Sequence, residues 1–298
     1  MTSTHVVRSL VAVALSLGLS GCGGNEPTGP GNGSSSFIVF ASSRSTPAGL
    51  FRMNLDGTNV QQLTTGGEIF GSVDNSGTLL AFTTSGANSE IVVKNLATGA
   101  PTQLTNDPAI DYRPSLNKSG TRIAFVSERA GGDRDIWIIN TDGTGLARLT
   151  NRSGEDTFPQ MSPDGQRVVF TQFVALTQTW VVNINGTGLT NLSNNSFNEV
   201  TPSFSPDGTK ILFSSDRDGD YDLFTMNVDG TGQTKLFDLA GDEFHASFTP
   251  NGTQVVFYSD VTGTSQIMIA NVNGSNVRNL SSNSVNESRT ASLIPGGS

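Results

Sequence analysis

Residues 202–236 read PSFSPDGTKILFSSDRDGDYDLFTMNVDGTGQTKL, and four strands can be laid along them. A short first strand, Ser203-Phe204, runs into Ser205-Pro206-Asp207-Gly208. That tetrapeptide is a tight turn, because Pro presets φ and Gly accepts positive φ. Ile211-Leu212-Phe213 is an apolar second strand. A polar loop follows, then a third strand from Leu223 to Val228. Asp229-Gly230 makes a two-residue hairpin turn, and the fourth strand ends at Leu236.

The same unit recurs along the chain, at residues 114–149, 159–192 and 246–280. Its first turn glycines are Gly77, Gly120, Gly165, Gly208, Gly252 and Gly297. Its second turn glycines are Gly57, Gly99, Gly143, Gly186, Gly230 and Gly274. The closing leucines are Leu63, Leu104, Leu149, Leu192, Leu236 and Leu280. Adjacent markers lie 41 to 45 residues apart. A period of that size holding four strands is that of a propeller blade. The expected fold is all-β, a single six-bladed β-propeller of four-stranded antiparallel blades over residues 37–298. Composition agrees. The chain of 298 residues has 34 Gly and 17 Phe, and only 14% of it is charged, against roughly a quarter in average globular proteins.

The two ends complete each other. The first repeat begins with FIVFASSR at residue 37, already a second strand. Residues 291–297 match residues 202–208, a first strand with no blade of its own. The C-terminal strand 291–294 is therefore expected to close the first blade. Closure removes an open edge, which would invite aggregation, and a closed ring is expected to stay monomeric.

The repeat resembles the TolB-type or PD40 repeat, a WD40-like propeller unit whose usual core is W-S-P-D-G, an apolar strand and a D-G turn. The resemblance covers residues 37–298. SPDG is intact at 162–165 and 205–208, and varies as DNSG (74–77), NKSG (117–120) and TPNG (249–252). The Trp position holds Val73, Leu116, Met161, Phe204 and Phe248, which implies different core packing within the same fold. TolB itself is a periplasmic protein with a further N-terminal α/β domain. Here a 14-residue tether, residues 23–36, precedes the repeats, so the resemblance does not carry TolB's role in the Tol-Pal system.

Residues 1–21 form an address rather than a fold. Arg8 precedes a short apolar run, Leu10 to Leu19, too short to span a ~30 Å hydrocarbon core. This is a secretory signal. Leu19-Ser20-Gly21-Cys22 resembles the lipobox of bacterial lipoproteins. By that resemblance Cys22 is the lipidated first residue of the mature chain. The plainer reading is an ordinary secretory signal with an incidental cysteine. Residues 22–36 then make the lipidated cysteine and a flexible Gly/Pro/Ser tether. Gly23 in place of Asp, by resemblance to the enterobacterial sorting rule, implies the outer membrane, on its periplasmic or surface side.

The charge balance excludes some partners. A net charge of −9 with no basic stretch argues against nucleic acid. Cys22 is the sole cysteine, so no disulfide or cysteine metal site is available. His245 is the sole histidine outside the signal and reads as an ordinary packed or rim residue. No G-x-S-x-G elbow occurs. No cofactor is expected and no catalytic constellation is legible.

In such blades the two Gly turns share one face. The loop between second and third strands and the link between blades share the other, where function is expected. Each link carries an acid: Glu68, Asp111, Asp156, Glu199, Glu243 and Glu287. Two readings stand. The acids form an electronegative funnel for a cation or a basic segment of a partner, or each caps backbone N–H groups in its own loop. Asp216, Asp218, Asp220 and Asp222 alternate along one loop. Oxygen-rich loops can hold Ca²⁺, yet Asn227 stands where an EF-hand needs Glu, so a polar hairpin is the other reading. The expected function is a membrane-anchored envelope binding or scaffold module that offers its loop face to a protein, peptide or glycan. The rival is an extracytoplasmic hydrolase or lyase acting on polysaccharide or peptide.

Overall fold

Second strands such as Ile211-Leu212-Phe213 have no polar face, and the structure shows why. In the computed structural model, which describes residues 36–281 and 292–294, every second strand is sandwiched between two neighbouring blades. Ile211 and Phe213 point toward blade 4, where they meet Val169, Val181 and Leu192. Leu212 points the other way, toward Val255 and Phe257 of blade 6. Period-two alternation here separates two apolar interfaces rather than core from water.

Twenty-four strands form six antiparallel four-stranded sheets, and no helix occurs among the described residues. Blade 1 comprises Ser292–Ile294, Phe37–Ser42, Gly49–Asn54 and Gln61–Gln62. Blade 2 comprises Ile69–Val73, Leu79–Thr83, Ile91–Asn95 and Pro101–Gln103. Blade 3 comprises Asp111–Leu116, Arg122–Ser127, Asp135–Asn140 and Ala147–Arg148. Blade 4 comprises Glu155–Met161, Arg167–Phe173, Thr177–Asn183 and Thr190–Asn191. Blade 5 comprises Glu199–Phe204, Lys210–Ser215, Asp222–Asn227 and Thr234–Lys235. Blade 6 comprises Glu243–Phe248, Gln254–Ser259, Gln266–Asn271 and Arg278–Asn279. The fold is the six-bladed propeller read from the repeats.

Six apolar clusters fill the six junctions between blades. The one joining blade 6 to blade 1 sets Val256, Tyr258, Ile267 and Ile269 against Ile38, Phe40, Phe51 and Met53. Each second strand contributes one phenylalanine at its fourth residue: Phe40, Phe82, Phe125, Phe170, Phe213 and Phe257, all buried. Truncating such a side chain to alanine typically costs about 3–5 kcal/mol. The residues at the family's Trp position, Val73, Leu116, Met161, Phe204 and Phe248, are all buried in these clusters. Smaller side chains there change the packing and keep the architecture.

The variation in the SPDG turn is also chemically conservative. Its first position holds Asp74, Asn117, Ser162, Ser205 and Thr249. In every case the side-chain oxygen accepts the N–H of the residue five positions on, at 2.8 to 3.0 Å. Serines of the inner strands join blade to blade. Ser72 Oγ accepts the Leu116 N–H at 2.9 Å, and Ser115 Oγ accepts the Met161 N–H at 3.0 Å.

The ring closes as the end-matching implies. Residues Ser292, Leu293 and Ile294 pair with Val39, Ile38 and Phe37. Residues 1–35, with the expected signal, Cys22 and nearly all of the tether, lie outside the described residues, as does Glu287. Removing residues 290–298 leaves blade 1 with three strands and uncovers the inner edge of Phe37–Ser42. The truncated chain is expected to melt roughly 5 °C or more below the full-length chain, or to aggregate. Differential scanning calorimetry that finds equal melting would show that the last strand does not close the ring.

Candidate functional site

The inner strands carry one backbone feature that repetition alone does not announce. In blades 2 to 6 each has a bulge, and a non-glycine residue there adopts positive φ: Phe70, Arg113, Phe158, Thr201 and His245, at 54 to 56°. Such a conformation is costly for L-residues. The bulge brings these side chains together at the propeller axis, where all five are buried. The Arg113 guanidinium lies 3.7 Å from the Phe158 ring centroid and 5.0 Å from that of Phe70, and donates to Thr157 Oγ1 at 2.8 Å. Phe158 of blade 4 stacks on His245 of blade 6 at 5.5 Å, and the His245 backbone N–H donates to Thr201 Oγ1 of blade 5 at 3.2 Å. Burial lowers the Arg113 pKa to about 10, which leaves it charged at neutral pH. On the Gly-turn side, Lys118 of blade 3 reaches the Pro206 carbonyl of blade 5 at 3.1 Å. The axis is thus occupied by side chains at two levels, and a ligand has the outer faces to use.

On the loop face the structure places the acids of the links in unlike settings. Asp111, Asp156, Glu199 and Glu243 are fully buried at the starts of inner strands, while Glu68 is half-buried and accepts the Gly66 N–H at 2.6 Å. Their partners follow an alternation around the ring. Strand register places Arg44, Arg129 and Arg217 at one loop position in blades 1, 3 and 5. In blades 2, 4 and 6 that position is Gly86, Val174 and Val261. Each arginine donates Nε to the serine two residues earlier, Ser42, Ser127 or Ser215, at 2.9 to 3.0 Å. Arg129 pairs with Asp111, and Arg217 with Glu199. These ion pairs belong to the blade's own loops.

Blades 4 and 6 have buried acids without that arginine. Burial raises Asp156 to about 6, with Asp135 pushing the same way and Arg152 and Gln172 pulling down. Burial raises Glu243 to about 8, helped by Asp222, Asp220 and Asp242 and opposed by the Ser259 hydroxyl. Ser259 donates to Glu243 Oε1 at 3.0 Å, and Oε2 has no hydrogen-bond partner among the described residues.

The four acids of the 216–222 loop do not converge on one point. Asp216 accepts the Asn198 backbone N–H at 2.8 Å and its side-chain amide at 2.7 Å. Asp218 and Asp222 both pair with Lys235, at 3.2 and 2.8 Å. Among the described residues no group of three or more His, Cys, Asp or Glu side chains is placed to hold a metal ion.

Viewed as a whole, the loop face is strongly one-signed. Of 24 carboxylates among the described residues, eighteen lie toward the loop face and six toward the Gly turns. Seven arginines and lysines lie toward the loop face and seven toward the Gly turns, with Arg113 on the axis. The formal balance is −11 on one face and +1 on the other. Reading the links alone finds only part of this, because the second-to-third-strand loops supply many of the other acids.

One feature of the loop face escapes the repeat logic. Phe173, Val174, Ala175 and Leu176 of blade 4 are all exposed, Val174 at 70%. The signal was a loop without glycine or charge between two strands, in a set of six whose other members are mostly polar.

Comparison with known proteins gives three results. A family model described as the TolB beta propeller domain matches residues 72–174 and 159–298. A protein named TolB homolog from Chlorobium chlorochromatii is 33% identical over 141 residues, which is 45% of this chain and 30% of that protein. The match therefore spans less than a third of the relative's length. Among solved structures, TolB from Acinetobacter baumannii superposes with a TM-score of 0.78 at 21% identity, covering 89% of this chain and 68% of that one. An oligogalacturonate lyase in complex with manganese superposes with a TM-score of 0.62 at 14% identity, covering 81% of this chain and 73% of that one. At such identities the two structures show the fold alone.

The raised Glu243 pKa has a signed consequence. Folding binds a proton that the unfolded carboxyl releases, so stability is full below the ordinary carboxylate range and falls as pH rises toward 8. Glu243→Gln is expected to match the parent at pH 5 and to melt roughly 2 °C or more above it at pH 8.5. Equal melting at both pH values would mean that Glu243 titrates normally.

Proposed function

Because the chain belongs to the TolB β-propeller family, we propose that it is a lipid-tethered envelope binding module whose loop face engages a protein partner with a basic surface. The observation that carries this reading is the separation of charge, −11 toward the loops against +1 toward the Gly turns among the described residues. A field of one sign on a rigid ring steers oppositely charged partners and speeds their encounter. The exposed loop acids carry that field, because arginines pair with Asp111 and Glu199 and burial raises the pKa of Asp156 and Glu243. The occupied axis supports a surface mode of binding over threading through the channel. Phe37 begins its strand at the Gly-turn end. A tether ahead of it therefore leaves the loop face pointing away from the anchor. Binding rather than catalysis is supported by His245, which is buried against Phe158 instead of standing in a cleft.

Two measurements test the reading. An Asp220→Asn, Asp238→Asn, Asp260→Asn variant is expected to lower the association rate of a serine–lysine peptide and flatten its salt dependence. The matching change on the other face, Asp142→Asn with Asp229→Asn, is expected to leave both unchanged. Equal effects from the two faces would remove the loop face from the proposal. The anchor has its own test. Cys22→Ala is expected to move the protein from the membrane to the soluble fraction, and continued membrane association would exclude lipidation at that residue.

A further inference from the structure

The second-to-third-strand hairpin of blade 4 ends in Phe173-Val174-Ala175-Leu176, and all four residues are exposed. Val174 stands where blades 1, 3 and 5 place an arginine that folds back onto its own serine. A valine cannot make that return contact, and it projects. The hairpin is nonetheless firmly built. Its two strands run seven residues each and stay paired to the tip, Phe173 with Thr177. Thr177 donates its N–H and hydroxyl to Asn198 Oδ1, both at 3.1 Å. Gln178 Nε2 donates to the Phe197 carbonyl at 2.7 Å. These bonds hold the Phe197 backbone beside the hairpin, and its ring, 39% exposed, lies 5.7 Å from the Arg217 guanidinium. An apolar cluster held rigid before binding loses little freedom on contact, and aromatic anchors of this kind are typical binding hot spots.

Resting on the binding role proposed above, we infer that Val174, Leu176, Phe173 and Phe197 form the anchoring point for a cationic amphipathic segment of a protein partner. Charge selects this occupant. The apolar tip stands on the face that carries the formal −11. Glu155 is exposed beside it and pairs with Arg134 at 3.0 Å, Asp133 holds the neighbouring Gly154 N–H, and Asp216 holds Asn198. A second copy of this chain would bring a like-charged face against it, and anionic headgroups would be repelled as well. A segment with apolar residues flanked by Lys or Arg satisfies both the tip and its rim.

The probe is a synthetic alternating leucine–lysine peptide, with a serine–lysine peptide of equal charge and a leucine–glutamate peptide as controls. Fluorescence anisotropy with the full chain is expected to rank them leucine–lysine, serine–lysine, leucine–glutamate. Val174→Ser with Leu176→Ser is expected to weaken the leucine–lysine peptide roughly tenfold, to leave the serine–lysine peptide unchanged and to melt as the parent does. Both positions are exposed, so folding is spared. If the double variant binds leucine–lysine as the parent does, the anchoring point is overturned. The wider proposal then still stands or falls by the acid variants of the loop face. Failure of the parent to bind either lysine peptide overturns both. A dimer in analytical ultracentrifugation that the double variant abolishes assigns the patch to a second copy. Retention on phosphatidylcholine vesicles that the variant abolishes assigns it to lipid. Either result overturns the inference.

Discussion

Everything in this propeller depends on second strands that are apolar on both sides. Phe40, Phe82, Phe125, Phe170, Phe213 and Phe257 are buried only because a neighbouring blade covers each one. A single blade has no interior of its own. Its apolar sides become core when the ring closes, and the blade 6 to blade 1 junction is as apolar as the other five. This couples the pairing of Phe37, Ile38 and Val39 with the last strand to the stability of the entire domain.

Closing a ring of six leaves an axis to be filled. The inner strands of blades 2 to 6 help fill it by bulging once each, at a residue forced into positive φ. The strain is offset by what the bulge delivers, a buried stack in which Arg113 lies between Phe70 and Phe158 and His245 covers the far side. An arginine tolerates this setting because its flat, weakly hydrated guanidinium stacks on rings. With these side chains on the axis, the variable chemistry of the described residues lies on the faces. The Gly turns are fixed by capping oxygens that repeat from blade to blade. The loop face is where the blades differ.

Those differences follow the alternation of Arg44, Arg129 and Arg217 with Gly86, Val174 and Val261. In blades 3 and 5 the arginine pairs with the blade's own link acid. In blade 6, where it is absent, Glu243 is raised furthest, to about 8, and in blade 4 the loop turns an apolar tip outward at Val174.

The blade number, the strand order within each blade and the closure by the last strand were legible in the sequence. Each is written by local chemistry: glycines that accept positive φ, side-chain oxygens that cap turns, and a period of 41 to 45 residues. The list of acids was legible too, but their roles were not. Asp111 and Glu199 look the same as Asp156 and Glu243 in a linear reading, and only the register across a blade shows which meets an arginine. The axial stack joins residues as far apart as Phe158 and His245, which no repeat alignment places in contact. The one-signed face likewise exists only once the ring sorts loops from turns. Local interactions determine a blade, because its partners lie within one repeat. The faces and the axis are decided by how six blades are arranged, because their charges and rings act through space and not along the chain.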